Sequence, residues 1–253
     1  MDDRRGLTDP DPGVRVEVRR LDPVPDLAAL AARVSGDLVW LDSGLPDGAP
    51  ATARPRARWS VLAWTDGPFA ARFRHQDRRA HLTVAAPAEG WFGRARSEDR
   101  PAFAVLADLL RRTPRLPEPV VGCGFALGWV GFLGYELGRE SGGPDRTADG
   151  HADADLRFVD RAVVVDHTGG AWALALVADA EPAASARNRA WLEELTTPTT
   201  SAGVVDAATG LPAGVSTATG RVTRAAYERA VDACRAEIRE GNAFQVCLTT
   251  AFA

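Results

Sequence analysis

Residues 124–138 read GFALGWVGFLGYELG, and three structures compete for them. The run from Val120 to Tyr135 carries no charge, which invites a membrane span. A span needs about 20 apolar residues, however, and this run is shorter and interrupted by five glycines. The repeated glycines invite a phosphate-binding loop instead. GCGFAL, at 122–127, lacks the third glycine of the GxGxxG pattern, and no acidic residue follows a second strand at the required distance. A core strand running into tight turns remains, with glycine where neighbouring strands approach closely.

The flanking sequence supports a strand-rich unit. VRVEVRR (14–20) alternates Val14, Val16 and Val18 and reads as a strand. Asp26 suits the cap of a short helix that places Leu27, Leu30, Ala31 and Val34 on one side and ends at Gly36. DLVWLDSG (37–44) reads as a buried strand entering a turn, and ARWSVLAW (57–64) as another strand. AARFRHQDRRAHLTVAA (70–86) reads as a hairpin turning over His75 to Arg78. Pro101 opens a helix with an apolar stripe of Phe103, Leu106, Leu109 and Leu110. DLRFVDRAVVVDHTGGAWALALVADA (155–180) reads as a second hairpin turning at HTGG, and AASARNRAWLEEL (183–195) as a helix.

Thr196 to Gly220 is rich in Thr, Ala, Gly and Pro and reads as a linker. Beyond it Thr223 caps a helix whose Tyr227, Val231, Cys234 and Ile238 share a face and which closes at Gly241. Phe244, Val246 and Leu248 then alternate with polar neighbours as a half-buried strand. A lone helix and strand cannot bury a core, so 221–253 reads as the start of a further domain. Exposed apolar surface around Phe244, Val246 and Leu248 would make the chain prone to aggregate. The expected organisation is a disordered 1–13, a domain at 14–195, a linker at 196–220 and a truncated domain at 221–253. The fold class is α+β, with stacked antiparallel β-sheets flanked by helices.

The chain has 253 residues, 45% hydrophobic and 25% charged, which suits a soluble globular protein with a sizeable core. A net charge of −4 offers no general field for nucleic acid or an anionic membrane. Cys123, Cys234 and Cys247 are an odd, widely spaced set that argues against a disulfide framework or a zinc site and suits a reducing, cytoplasmic setting. The polar N-terminus shows no secretory signal. All 30 basic residues are arginine, so no lysine is present to form a Schiff base, clamp a phosphate or attack as an amine.

Other candidate chemistry is sparse. His75, His81, His151 and His167 lie in or beside expected turns without metal-ligand spacing, and solvated loop residues are the simpler reading. Asp153 and Asp155 form a lone DxD, more often solvated than ligating. Asp160 and Asp166 flank an apolar strand as turn residues. No GxSxG is present, and no serine or cysteine has an evident base.

Three stretches together resemble one family. GFALGWVGFLGYELG resembles the glycine-rich segment of the chorismate-utilising amination enzymes, namely anthranilate synthase component I and aminodeoxychorismate synthase component I. DADLRFVDRAVVVDH (153–167) resembles the strand that follows it. TRAAYERAVDACRAEIREGNAFQVCLTTAF (223–252) resembles the entry to their chorismate-binding domain. LVWLDSG followed by RWSVLAW fits the family's early strand pair. The resemblance covers about residues 14–253 and implies an anthranilate synthase component I-like N-terminal domain, with the chain stopping just inside the chorismate-binding domain. It implies amination of chorismate with ammonia from a glutaminase subunit or domain. It also implies Mg2+, held by glutamates outside this chain. No catalytic residue is carried over, and the lysine nucleophile of the aminodeoxychorismate branch has no counterpart here.

The family's N-terminal domain holds a tryptophan pocket, walled by the serine of an LES-type turn and by the start of the next strand. The matching residues are Ser43, Arg56, Ala57, Arg58 and Trp59. The plainer alternative makes Ser43 a turn residue and Trp59 core. VCLTT, RAWLEEL and DSG in place of ESS lean toward aminodeoxychorismate synthase component I, on the route to p-aminobenzoate and folate. Anthranilate synthase component I, a non-catalytic tryptophan-binding module and a gene remnant are the alternatives.

Overall fold

The computed structural model describes residues 11–34, 36–43, 57–144, 150–196, 220 and 222–250. The chain divides into two units, Met1–Gly203 and Val204–Ala253. The expected linker at 196–220 and the expected disordered N-terminus fall largely outside the described residues.

Ten strands in the first unit form two antiparallel sheets. The first sheet uses β1 (Val14–Leu21), β2 (Leu38–Leu41), β3 (Trp59–Trp64), β9 (Arg161–Asp166) and β10 (Ala171–Ala178), in the spatial order β1-β10-β9-β3-β2. The second uses β4 (Ala71–Gln76), β5 (Arg79–Val84), β6 (Arg96–Glu98), β7 (Gly128–Leu133) and β8 (Ala154–Val159), in the order β6-β5-β4-β8-β7. The helices are α1 (Leu27–Ala32), α2 (Glu89–Phe92), α3 (Ala102–Arg112) and α4 (Pro182–Thr196). This is the expected α+β fold of antiparallel sheets with helices.

Strand alternation assigns the two faces of the first sheet. Leu62, Trp64, Val163, Val165, Ala171, Ala173 and Ala175 face α1 and α4, where Leu27, Trp191 and Leu192 cover them. Val61, Ala63, Ala162, Val164 and Leu174 face the other way, toward Val120, Val159 and the partly buried Trp59, Cys123 and Val130. The second sheet packs Phe73, Leu82 and Phe158 against Val105, Leu106 and Leu109 of α3, and Leu176 of β10 joins this cluster. Phe73, Phe92 and Phe158 are fully buried, each contributing about 1.5–3 kcal/mol of burial free energy.

Several local expectations hold. Asp26 caps α1 by accepting from the amides of Ala28 and Ala29 at 2.8 and 3.2 Å. HTGG turns β9 into β10. Gly131 sits where strands approach: a Cβ there would lie 2.0 Å from the Asp155 carbonyl oxygen.

Others are corrected. The segment 155–180 is not one hairpin but three strands, because β8 leaves the second sheet at Asp160 and β9 enters the first. The 70–86 hairpin turns at Asp77 and Arg78, both with left-handed φ (51° and 65°), so His75 belongs to the strand and is buried rather than solvated. The buried face of α3 is Ala102, Val105, Leu106 and Leu109, whereas Phe103 and Leu110 are exposed. The strand at 38–41 is an edge strand with Trp40 and Leu41 exposed, not a buried one. β7 is likewise an edge, and Phe132 and Leu133 are exposed instead of core.

In the second unit α5 (Arg224–Arg239) is capped by Thr223, whose hydroxyl accepts from the Ala226 amide at 3.3 Å. None of its residues is buried. Residues 244–250 form no strand, contrary to the expected alternating one. Phe244 is 99% exposed. A strand exists only through its ladder partners, and none is present for this segment among the described residues.

Candidate functional site

Four of the five residues assigned to the amino-acid pocket are described; Arg56 lies outside the described residues. They meet where β2 ends and β3 begins. Asp42 and Ser43 follow Leu41, and the Ser43 amide donates to Oγ of Ser60 on β3 at 3.1 Å. The same Oγ donates to Oδ1 of Asp42 at 2.7 Å and lies 2.8 Å from Nε2 of His167, in the turn between β9 and β10. Ser60 is completely buried.

This group contains a serine, a histidine and an aspartate, yet it is not a hydrolytic triad. In a triad the carboxylate orients the histidine and the serine is open to substrate. Here the carboxylate binds the serine, and the serine is enclosed. Ser43 is only partly buried, and its hydroxyl has no hydrogen-bond partner among the described residues.

Arg58 and Trp59 have other tasks. The Arg58 guanidinium forks onto Asp166, with Nε at 3.1 and 3.0 Å from the two carboxylate oxygens and Nη2 at 2.7 Å from Oδ2. Its Cζ sits 4.9 Å from the centre of the Trp59 ring. Trp59 in turn packs against Trp172 with ring centres 5.9 Å apart. Arg58 holds the Asp166 carboxyl down at about 2, helped by the backbone and hydroxyl of Thr168. The His167 amide donates to the Arg58 carbonyl at 2.8 Å, closing the clasp between β3 and the β9–β10 turn. Arg58 therefore spends its fork on Asp166, and the Trp59 indole is part of the packing between the sheets. Ala57 supplies backbone at the entrance to β3. Nearby, burial pushes the Cys123 thiol up, which leaves it a poor nucleophile.

Ser60 and His167 are the members that sequence reasoning missed. A serine inside the apolar strand WSVLAW was the available signal, because a buried hydroxyl needs partners.

A second cluster contains His75. Its Nδ1 lies 2.9 Å from Oδ2 of Asp153, and Nη2 of Arg139 reaches the same oxygen at 2.5 Å. Asp153 is buried rather than solvated. Glu140 accepts from the amides of Ala102 and Phe103 at 2.7 and 3.1 Å, satisfying the open N-terminus of α3. A cleft of about 440 Å³ runs past His75, Arg78, Arg100, Arg139 and Glu140. The free Nε2 of His75 is closed off from solvent. The cluster acts as a strut joining β4, α3 and the 135–141 turn. Asp155, the other half of the DxD, is paired with Arg72.

Among the described residues no group of three His, Cys, Asp or Glu could hold a metal ion. No helix among the described residues is long and apolar enough to cross a membrane.

The family model of the chorismate binding enzymes matches residues 62–253. The chain is 36% identical over 225 residues to an aminodeoxychorismate synthase of Streptomyces griseus, covering 83% of this chain and 28% of that protein. It is 29% identical over 242 residues to an aminodeoxychorismate synthase of Streptomyces pristinaespiralis, covering 93% of this chain and 32% of that protein. It thus spans about a third of the length of these relatives. With most of its residues matched by the family model, the chain belongs to the chorismate binding enzymes.

Proposed function

We propose that these residues serve an aminodeoxychorismate synthase component I, which replaces the 4-hydroxyl of chorismate with ammonia to give 4-amino-4-deoxychorismate, the precursor of p-aminobenzoate and folate. The similarity to two proteins of that name carries the reading. Ammonia would come from a glutaminase subunit or domain. Magnesium would be held by residues other than those described, and the setting would be cytoplasmic. The twin-sheet unit supplies a scaffold and no catalytic group, consistent with the absence of lysine from the chain.

The same reading gives the β2–β3 corner an α-amino acid with an aromatic side chain, tryptophan being the type. Ser43 presents a hydroxyl there, able to donate to the ligand's carboxylate or accept from its ammonium. In an isolated chain this makes the unit a tryptophan-binding module.

The test expresses the complete reading frame containing these residues and supplies chorismate, magnesium and ammonium. Formation of 4-amino-4-deoxychorismate by chromatography is the expected result. Fluorescent anthranilate in its place would move the protein to the anthranilate synthase branch, and unchanged chorismate would remove the catalytic reading.

A further inference from the structure

The hydroxyl of Ser60 has one proton and two lone pairs. Its proton goes to the Asp42 carboxylate at 2.7 Å, and one lone pair takes the Ser43 amide at 3.1 Å. His167 Nε2, at 2.8 Å, therefore meets the remaining lone pair and must arrive as an N–H donor. The opposite tautomer would set two lone pairs against each other across that distance. Ser60 is completely buried, so no solvent molecule relieves such a mismatch.

From this proton count we infer that Ser60 and His167 are positioning residues of the amino-acid site at Ser43, an inference that rests on the tryptophan reading above. Three segments distant in sequence are fastened to one oxygen atom: Asp42 and Ser43 just past β2, the body of β3 and the β9–β10 turn. The fastening uses the Ser43 amide and one oxygen of Asp42. Ser43 thus offers the ligand its hydroxyl and not its N–H. His167 does not touch the ligand; it fixes the Ser60 rotor, and Ser60 fixes Asp42 and Ser43.

The experiment uses the full chain and the variants His167→Ala, His167→Gln and Ser60→Ala. Glutamine carries its amide nitrogen near the position of Nε2 and can donate in its stead. Calorimetry with tryptophan is expected to show binding by the parent, about tenfold weaker binding by His167→Ala and Ser60→Ala, and recovery in His167→Gln. Nitrogen-15 spectra of labelled histidine are expected to show the proton of His167 on Nε2. The Ser43 amide should exchange slowly in the parent and His167→Gln and rapidly in His167→Ala. Parent-like tryptophan affinity in a folded His167→Ala would overturn the positioning role, as would a proton on Nδ1 alone. No heat from the parent would overturn the amino-acid reading and the positioning role with it. The spectra would still show separately whether His167 anchors the turn.

Discussion

Strand β9 begins and ends beside an aspartate, and the two carboxyls live in opposite electrostatics. Asp160 is the one residue between β8 of the second sheet and β9 of the first. It is fully buried, its Oδ2 accepts from the Phe69 amide at 2.7 Å, and its Oδ1 makes no hydrogen bond, the Arg161 Nε standing 3.9 Å away. Burial pushes its pKa up. Asp166, at the far end, is also enclosed but receives the Arg58 fork and two bonds from Thr168, which hold it at about 2. The difference teaches that burial alone does not decide a carboxylate's charge; a guanidinium that hydrogen-bonds to it, as Arg58 does to Asp166 and Arg161 does not to Asp160, shifts the balance.

The largest effect should come from crowding Asp160. A Cβ on Gly67 would lie 1.6 Å from Asp160 Oδ1, so Gly67→Ala should destabilise by about 3 kcal/mol or more in urea unfolding. Adding Asp160→Ala to it should recover part of that loss; strict additivity would show that the two side chains do not conflict.

A moderate effect should follow Asp166→Asn, and its signature lies in pH. The folded state holds this proton more weakly than the unfolded chain, so the pairing is fully present above the ordinary aspartate pKa and fades as pH falls toward 2. The variant should lose stability at neutral pH and narrow its gap from the parent in acid. A constant gap across that range would dissolve the contrast between the two ends.

The smallest effect should be that of Asp160→Asn in mild acid, about 1 kcal/mol or less, because there the amide copies the protonated carboxyl. Here the sign reverses. The folded state holds the proton more tightly, so the parent loses stability as pH rises from the ordinary aspartate pKa through the raised one. The variant should lack that decline. An identical pH profile would mean that Asp160 ionises in place.

Much of this architecture is readable from alternation, since a period-two pattern such as Val14, Val16, Val18 marks a strand whatever its partner. Partner identity is not local, and the errors cluster there. Trp40, Leu41, Phe132 and Leu133 read as core but occupy sheet edges, a property of strand order that no window of residues contains. The sheet change at Asp160 is hidden for the same reason, because FVDRAV looks continuous. Of the site, Ser43 and the start of β3 are legible by resemblance. His167 is not, for it joins Ser60 across 107 positions.

Strand β7 has one further consequence. Among the described residues it borders β8 on one side only, and Gly128–Leu133 contains no charge to blunt the other side. In heavy water its amides should separate into two populations, with those facing β8 retaining hydrogen and those facing outward taking up deuterium quickly. Slow uptake along the whole strand would reveal a covering neighbour, located to within a residue by the peptides that resist labelling.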